Sequence, residues 1–229
     1  KGKYSDFTWN WTHFDGIDWD QNRLQQAIYK FAGKEWNLGV DTLENGNYDY
    51  LMGADIDFNN QEVFEELVKW AVWYVKETNI DGFRLDAVKH IPSSFYRDFL
   101  YRVREITDKE LFTVGEYWQH DVGQLAQYLE AIKSEASLFD VPLHYNFYDC
   151  SKAHGSYDLR RILDGTLVKE NPVKAVTFVD NHDTQPGQSL ESYVEPWFKP
   201  MAYAMILLRN EGYPCVFYGD LYGIECQNI

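Results

Sequence analysis

Five times along the 229-residue chain a short apolar run empties into an acidic, glycine-bearing or histidine-bearing turn, and a helically patterned segment leads into the next run. The runs are residues 82–85 before Asp86, 111–114 before Gly115-Glu116, 137–141 around Asp140, 173–179 before Asp180-Asn181-His182-Asp183, and 213–218 before Gly219-Asp220. Residues 93–106, 122–132, 159–167 and 198–209 lie between them, and Phe95, Phe99, Val103 and Ile106 mark the inward stripe of the first. The apolar runs are continuous rather than alternating, so each predicts a strand buried on both faces, as in a parallel sheet covered by helices.

An open doubly wound sheet and a closed (β/α)8 barrel both satisfy this pattern. Polar residues gather at the carboxyl end of run after run, at Asp86, Glu116, Asp140, Asp183 and Asp220, which is the face where barrels build their sites. A glycine-rich phosphate loop would favour the open sheet, and the sequence has none.

The amino-terminal stretch, residues 1–58, is of another kind. Aromatics alternate with Asp, Asn and Gly, as in Phe14-Asp15-Gly16-Ile17-Asp18-Trp19-Asp20 and Asn45-Gly46-Asn47-Tyr48-Asp49-Tyr50, which predicts an irregular strand-and-turn lobe. Asp49, Asp55 and Asp57 fall within nine residues and offer hard-cation ligands, although without EF-hand spacing a solvated acidic loop fits equally. Asn59 and Glu62 resemble a capping box opening a helix, with Val63, Phe64, Leu67, Val68, Ala71, Val72 and Val75 as its apolar stripe. Glu65 and Lys69 are expected to pair on its wet side.

Charge narrows the partners. With 21 basic against 36 acidic residues and a net charge of −15, nucleic acid and anionic membranes are excluded as expected partners, while a neutral ligand or a cation is favoured. An aromatic content of 17% suits stacking on sugars and equally a large core. Cys150, Cys215 and Cys226 have neither metal spacing nor an even count, so no disulfide framework is expected. Three unpaired-looking thiols tilt the expected location toward the cytoplasm, with secretion left open. No signal peptide or membrane-length apolar run is visible, and the chain reads as truncated at both ends, at Lys1-Gly2-Lys3 and at Cys226-Gln227-Asn228-Ile229.

Arg84 and Asp86 are two residues apart, so on a strand they share a face, and a guanidinium beside a carboxylate keeps it ionised. Alone, such a pair reads more often as a structural ion pair, strand-end acids as helix caps, and His182 as a turn residue. Jointly, Asp86, Glu116 and Asp183 at equivalent points of successive repeats would converge on one mouth. Cleaving a glycosidic bond with retention needs a nucleophilic carboxylate and a protonated carboxylic acid roughly 5–5.5 Å apart, and neighbouring strands about 4.8 Å apart supply such a spacing. Glu116, between Gly115 and Tyr117-Trp118, is the better acid, because apolar surroundings favour its protonated form. His182 would donate to sugar hydroxyls, and Asp183 would add negative charge facing an oxocarbenium-like transition state.

Gly82-Phe83-Arg84-Leu85-Asp86-Ala87-Val88-Lys89-His90, Gly115-Glu116-Tyr117-Trp118 and Phe178-Val179-Asp180-Asn181-His182-Asp183 resemble the fourth-, fifth- and seventh-strand motifs of the α-amylase family of glycoside hydrolases. Residues 45–57, Asp140-Val141-Pro142-Leu143-His144-Tyr145, Thr184-Gln185-Pro186-Gly187-Gln188-Ser189 and Phe217-Tyr218-Gly219-Asp220 are similar to bacterial liquefying-type members, so the likeness covers nearly the whole chain. It implies an α/β fold in which residues 59–229 form strands 4 to 8 of a (β/α)8 TIM barrel, while residues 1–58 are the C-terminal part of an inserted, β-rich calcium-binding lobe.

The same resemblance implies Asp86 as nucleophile, Glu116 as general acid/base and Asp183 as transition-state stabiliser. Arg84, Lys89, His90, Trp118, His182 and Gln185 are then the substrate-binding residues. Asp49, Asp55 and the His90 carbonyl form the principal calcium site, with Asp15 and Asp57 in the adjoining cluster, where a sodium ion is an optional second cation. Asn37 and Asn59 stand where the family usually carries Asp, and neutral ligands lower cation affinity, which counts against a second metal position. The implied function is retaining, internal hydrolysis of α-1,4-glucosidic bonds in starch, glycogen and maltodextrins through a covalent glycosyl-enzyme, by a full-length protein expected to be monomeric. The alternatives are a transglycosylase of the same family and an inactive carbohydrate- or calcium-binding fragment. Without strands 1 to 3 the isolated chain is expected to be inactive.

Overall fold

The computed structural model describes residues 5–40 and 49–223, so Lys1-Gly2-Lys3, the Asn45 to Tyr48 part of the lobe motif and Cys226 lie outside the described residues. The chain divides into two compact units, residues 1–113 with 131–135, and residues 114–130 with 136–229.

The first unit begins with a three-stranded antiparallel sheet. β1 (Phe14–Asp20) lies between β2 (Gln25–Lys30) and β3 (Ala54–Ile56), with Ile17 opposite both Tyr29 and Ala54. The turn joining β1 to β2 is held by Asp20, whose Oδ1 accepts the amides of Asn22 and Arg23. Gly16 is required where β1 passes beneath Trp36, since a Cβ there would meet the indole at 2.5 Å and the Tyr29 carbonyl oxygen at 2.7 Å. The strand-and-turn lobe predicted for residues 1–58 is therefore organised around a small sheet.

α1 (Gln61–Thr78) follows and packs on α2 (Ser93–Thr107), with β4 (Gly82–Leu85) between them in sequence. Val63, Val68, Ala71 and Val75 of α1 are buried, as are Phe95, Phe99, Leu100 and Val103 of α2, while Phe95 stacks on Phe99 at 5.4 Å. The cap of α1 lies one residue later than the expected Asn59: Asn60 accepts the Glu62 amide, and Asn59 instead donates to Asn37. The Glu62 carboxylate turns to His13 at 3.2 Å rather than back to the cap. Glu65 accepts from Gln61, and Lys69 approaches Glu66 at 4.0 Å in place of the expected Glu65. Gly82 opens β4 where only hydrogen fits, for a Cβ would lie 1.8 Å from the Phe112 carbonyl oxygen.

Arg104, near the end of α2, ties this unit together. Its guanidinium donates to the carbonyls of Glu110, Leu111 and Glu135, to Thr113 Oγ1 and to the Glu135 carboxylate at 2.6 Å. Arg104→Met keeps the aliphatic stem but leaves partly buried acceptors without donors, so we expect a stability loss of about 2–4 kcal/mol. A lower urea midpoint at unchanged slope is the expected reading; an unmoved midpoint would refute the role given to Arg104.

The second unit alternates strand and helix. β5 (Phe112–Gly115) leads into it, followed by α3 (Val122–Ala131), β6 (Ser137–Phe139), α4 (Val141–Lys152), α5 (Leu167–Glu170), β7 (Ala175–Phe178), α6 (Lys199–Leu208), β8 (Tyr213–Cys215) and α7 (Tyr218–Tyr222). All four residues of β7 are buried, as a central parallel strand requires. β8 is exposed along its length and tolerates Pro214. Phe147, Leu138, Leu143, Leu167, Phe198 and Ile206 fill the core around them.

Three elements differ from expectation for local reasons. α4 was not anticipated: Asp140 ends β6 and at once accepts the Leu143 amide, and Pro142 sits in the first turn, so a helix starts where a strand was expected to continue to Val141. The helix expected over residues 159–167 is a single 3-10 turn, Leu159–Arg161; Gly165 then takes φ +65°, and Thr166 caps α5. The last strand stops at Cys215 rather than at residue 218, because Tyr218 already opens α7.

The strand order of the second sheet is β4-β5-β6-β7-β8, and β5–β6, β6–β7 and β7–β8 pair in parallel. A doubly wound sheet reverses its order at a switch point, whereas sequential order throughout is the arrangement of a (β/α)8 barrel. The described strands are part of such a barrel.

Candidate active site

In the first unit, the exit of β4 carries Arg84 and Asp86. The Arg84 Nη1 donates to Asp86 Oδ1 at 2.5 Å, the pairing expected from their spacing. The Asp86 side chain is 71% exposed. It opens on a cleft of about 390 Å³ whose wall includes Asp49, Asp55, Arg84, Asp86, His90 and Tyr96. Burial, and then the charge of Asp86, push the Tyr96 phenol well above its ordinary range. Ala87 follows Asp86 in the left-handed region, at φ +45° and ψ +42°, and the chain then makes the 3-10 turn Val88–His90 in which Lys89 is buried. A β-carbon there costs free energy, so the abrupt turn after Asp86 is held by its surroundings.

The lobe brings three carboxylates together. One oxygen each from Asp15, Asp49 and Asp55 lie within 4.8 Å of one another. Burial, then repulsion from Asp57 and Asp49, pushes the Asp15 carboxyl up to about 7; burial, then Asp49 and Asp15, pushes Asp55 up to about 8. Asp49 is likewise raised by burial. Asp15 Oδ1 and Asp55 Oδ2 are buried without a hydrogen-bond partner among the described residues. Clustered, buried, under-satisfied carboxylate oxygens are the donor set of a hard cation, and the residues present fit one.

Asp57 is held differently. Lys34 Nζ meets its Oδ2 at 2.5 Å and the Asn59 amide its Oδ1 at 3.0 Å, so it stands outside the three-carboxylate group. Asn37 donates through Nδ2 to Asp15 Oδ2 at 2.6 Å and to Asp49 Oδ2 at 3.1 Å, and accepts from Asn59. The Asn37 side-chain amide thus bonds two carboxylates, while the Asn59 side-chain amide bonds Asn37 and reaches no carboxylate itself among these contacts.

In the second unit, Glu116 follows β5 at 6% exposure, between buried Gly115 and Tyr117, whose ring lies 5.0 Å from that of Tyr128. Trp118 donates through Nε1 to the Tyr145 hydroxyl at 3.1 Å, and His120 stacks on the Tyr145 ring at 3.5 Å. Tyr145 comes from α4 and His120 from the segment between β5 and α3, so their stacking is set by the fold rather than by neighbours in the chain.

At the end of β7, His182 Nε2 lies 3.3 Å from Asp183 Oδ2. Asn181 Oδ1 accepts the amides of Asp183 and Thr184, a tight turn that sets the direction of Asp183. Gln185 Oε1 is buried without a partner among the described residues. Beneath them Asp180, 3% exposed, accepts from Thr184 and pairs with Lys199 at 2.9 Å; burial outweighs these contacts and pushes its carboxyl up to about 6. Two other acids expected at strand ends are structural, Asp140 after β6 and Asp220, which lies inside α7. Asp140 accepts the Leu143, Leu167 and Val168 amides, and Asp220 accepts from Tyr203 and Lys199.

These features define a chain of the (β/α)8-barrel class in which Asp86, Glu116 and Asp183 each follow a strand, accompanied by a carboxylate-bearing lobe. The chain belongs to the α-amylase catalytic-domain family: the description "Alpha amylase, catalytic domain" matches residues 2–229. It is 60% identical over 99% of its length to an α-amylase of Geobacillus stearothermophilus, and 60% identical over 97% to an α-amylase of Bacillus licheniformis. It spans 41% and 43% of those relatives, less than half of each. Among solved structures it is similar to an α-amylase from Geobacillus thermoleovorans in complex with acarbose, with a TM-score of 0.59 and 28% identity over 76% of this chain and 40% of that one.

Proposed function

We propose that the full-length protein containing this chain hydrolyses α-1,4-glucosidic bonds within starch, glycogen and maltodextrins, with retention of configuration. Asp86 attacks the anomeric carbon while Glu116 gives its proton to the departing glycosidic oxygen, forming a glycosyl ester on Asp86. Glu116, now a carboxylate, takes a proton from water, whose oxygen displaces Asp86 and regenerates both groups. Asp183 supplies negative charge opposite the positive charge that develops on the sugar, with His182 beside it as a donor to hydroxyls. Arg84 donates to the Asp86 carboxylate and orients it. Lys89, His90, Trp118 and Gln185 contact the sugars.

The observation that carries this reading is the Arg84–Asp86 pair at the exit of β4, opening on a cleft, in a chain whose family match covers residues 2–229. The proposed ion is calcium, held by Asp15, Asp49 and Asp55 with the His90 carbonyl; when bound it neutralises carboxylates that otherwise repel one another. The test is proton NMR of the first products released from a maltodextrin by the full-length protein. The α-anomer is expected before mutarotation; prompt appearance of the β-anomer would exclude a retaining mechanism.

A further inference from the structure

We propose that Thr184, Asp180 and Lys199 are positioning residues for Asp183, acting as a buried relay that fixes the loop after β7. The inference rests on the role given to Asp183 above and names what holds that residue.

Asp183 is anchored by its own amide to Asn181 Oδ1 at 2.9 Å, inside a turn only four residues long. That turn is closed by Thr184, whose Oγ1 accepts the Asn181 amide at 3.0 Å and donates to Asp180 Oδ1 at 3.0 Å. Thr184 is fully buried, so its hydroxyl has no water to bond in place of Asp180. Asp180 accepts the Val194 amide at 3.2 Å, which returns the far end of the same loop to the same carboxylate. Lys199, in the first turn of α6, then joins Asp180 to Asp220, whose other oxygen accepts the Tyr203 hydroxyl at 2.6 Å. The loop bearing His182 and Asp183 is thus tied at both ends to one buried carboxylate, and that carboxylate to the helix before β8. A structural ion pair would serve with any geometry that neutralises Asp180. The Thr184 hydroxyl, by contrast, matters only if the turn must be held in one orientation.

The test compares variants in the full-length enzyme on soluble starch, below each variant's melting transition. Thr184→Val keeps shape but removes the hydroxyl, Thr184→Ser keeps the hydroxyl, and Lys199→Met and Lys199→Arg remove and retain the bridging charge. Small misplacements of a group facing the transition state cost up to about a hundredfold, so Thr184→Val is expected to lower kcat by about 10- to 100-fold with KM changed less than about threefold. Thr184→Ser stays within about threefold of wild type, and Lys199→Arg recovers part of the loss in Lys199→Met. Because the residues act in series, combining Thr184→Val with Lys199→Met lowers kcat no further than the worse single change. Unchanged kcat in Thr184→Val, equal losses in Thr184→Ser and Thr184→Val, or additive losses in the double variant would each overturn the relay while the wild type remains active. A wild type that releases no reducing ends sinks the functional reading, and the inference with it.

Discussion

Glu116→Gln in the full-length protein is expected to lower kcat on α-1,4-glucans by about 10²- to 10⁴-fold with little change in KM, the range that a positioned proton donor contributes. Glutamine keeps the shape of Glu116 and its hydrogen-bonding ability but has no proton to release. The side chain is 6% exposed, so bulk water is poorly placed to stand in for it. The loss should depend on the leaving group. An aryl maltoside with an acidic phenol departs without protonation, so formation of the glycosyl ester in the variant should be far less impaired with it than with starch. Asp86→Asn should abolish both reactions equally, because it removes the proposed nucleophile. Burst kinetics with the aryl substrate separate the two cases; equal loss on both substrates in Glu116→Gln would remove Glu116 from the proton-transfer role.

Chelating divalent cations should lower the melting temperature by roughly 5–10 °C near pH 8, the shift expected for loss of a ligand present at about 100 times its Kd, and by less near pH 5. The sign follows from the lobe carboxyls. Burial first, and then their mutual repulsion, raise Asp15 to about 7 and Asp55 to about 8 in the metal-free protein, from an ordinary value of 3.8. Between those limits the folded state holds more protons than the unfolded chain, so metal-free stability falls as pH rises from about 4 through about 8. A cation competes with those protons, so it binds better as pH rises, and its removal costs most where the carboxylates are ionised. Melting curves with and without chelator across this range test the account, and a chelator effect that grows toward pH 5 would refute it.

The alternation of elements was legible because it depends on neighbours in the chain. A parallel strand covered on both faces must be largely apolar at successive positions, and β7, buried at all four of its residues, shows that directly. The Arg84–Asp86 contact was legible for the same reason: two residues on one strand share a face whatever else the chain does. The likeness to the family was also carried by contiguous motifs, none of which needed the fold to be recognised.

Tertiary structure decided which acids are available and which are spent on the scaffold. Asp140 looked like another strand-end acid, yet its partners Leu167 and Val168 come from 27 and 28 residues away, and no local pattern records that. Asp180 and Asp220 are claimed by Lys199, which enters from α6. In the lobe, Lys34 takes Asp57 from 23 residues upstream, while Asp15, Asp49 and Asp55, from β1, the segment after residue 48 and β3, are the ones that meet. The physical reason is common to all of them. Periodicity and backbone propensity are set within one or two turns of chain, whereas the partner of a buried charge is chosen among distant residues by the packing that desolvates it.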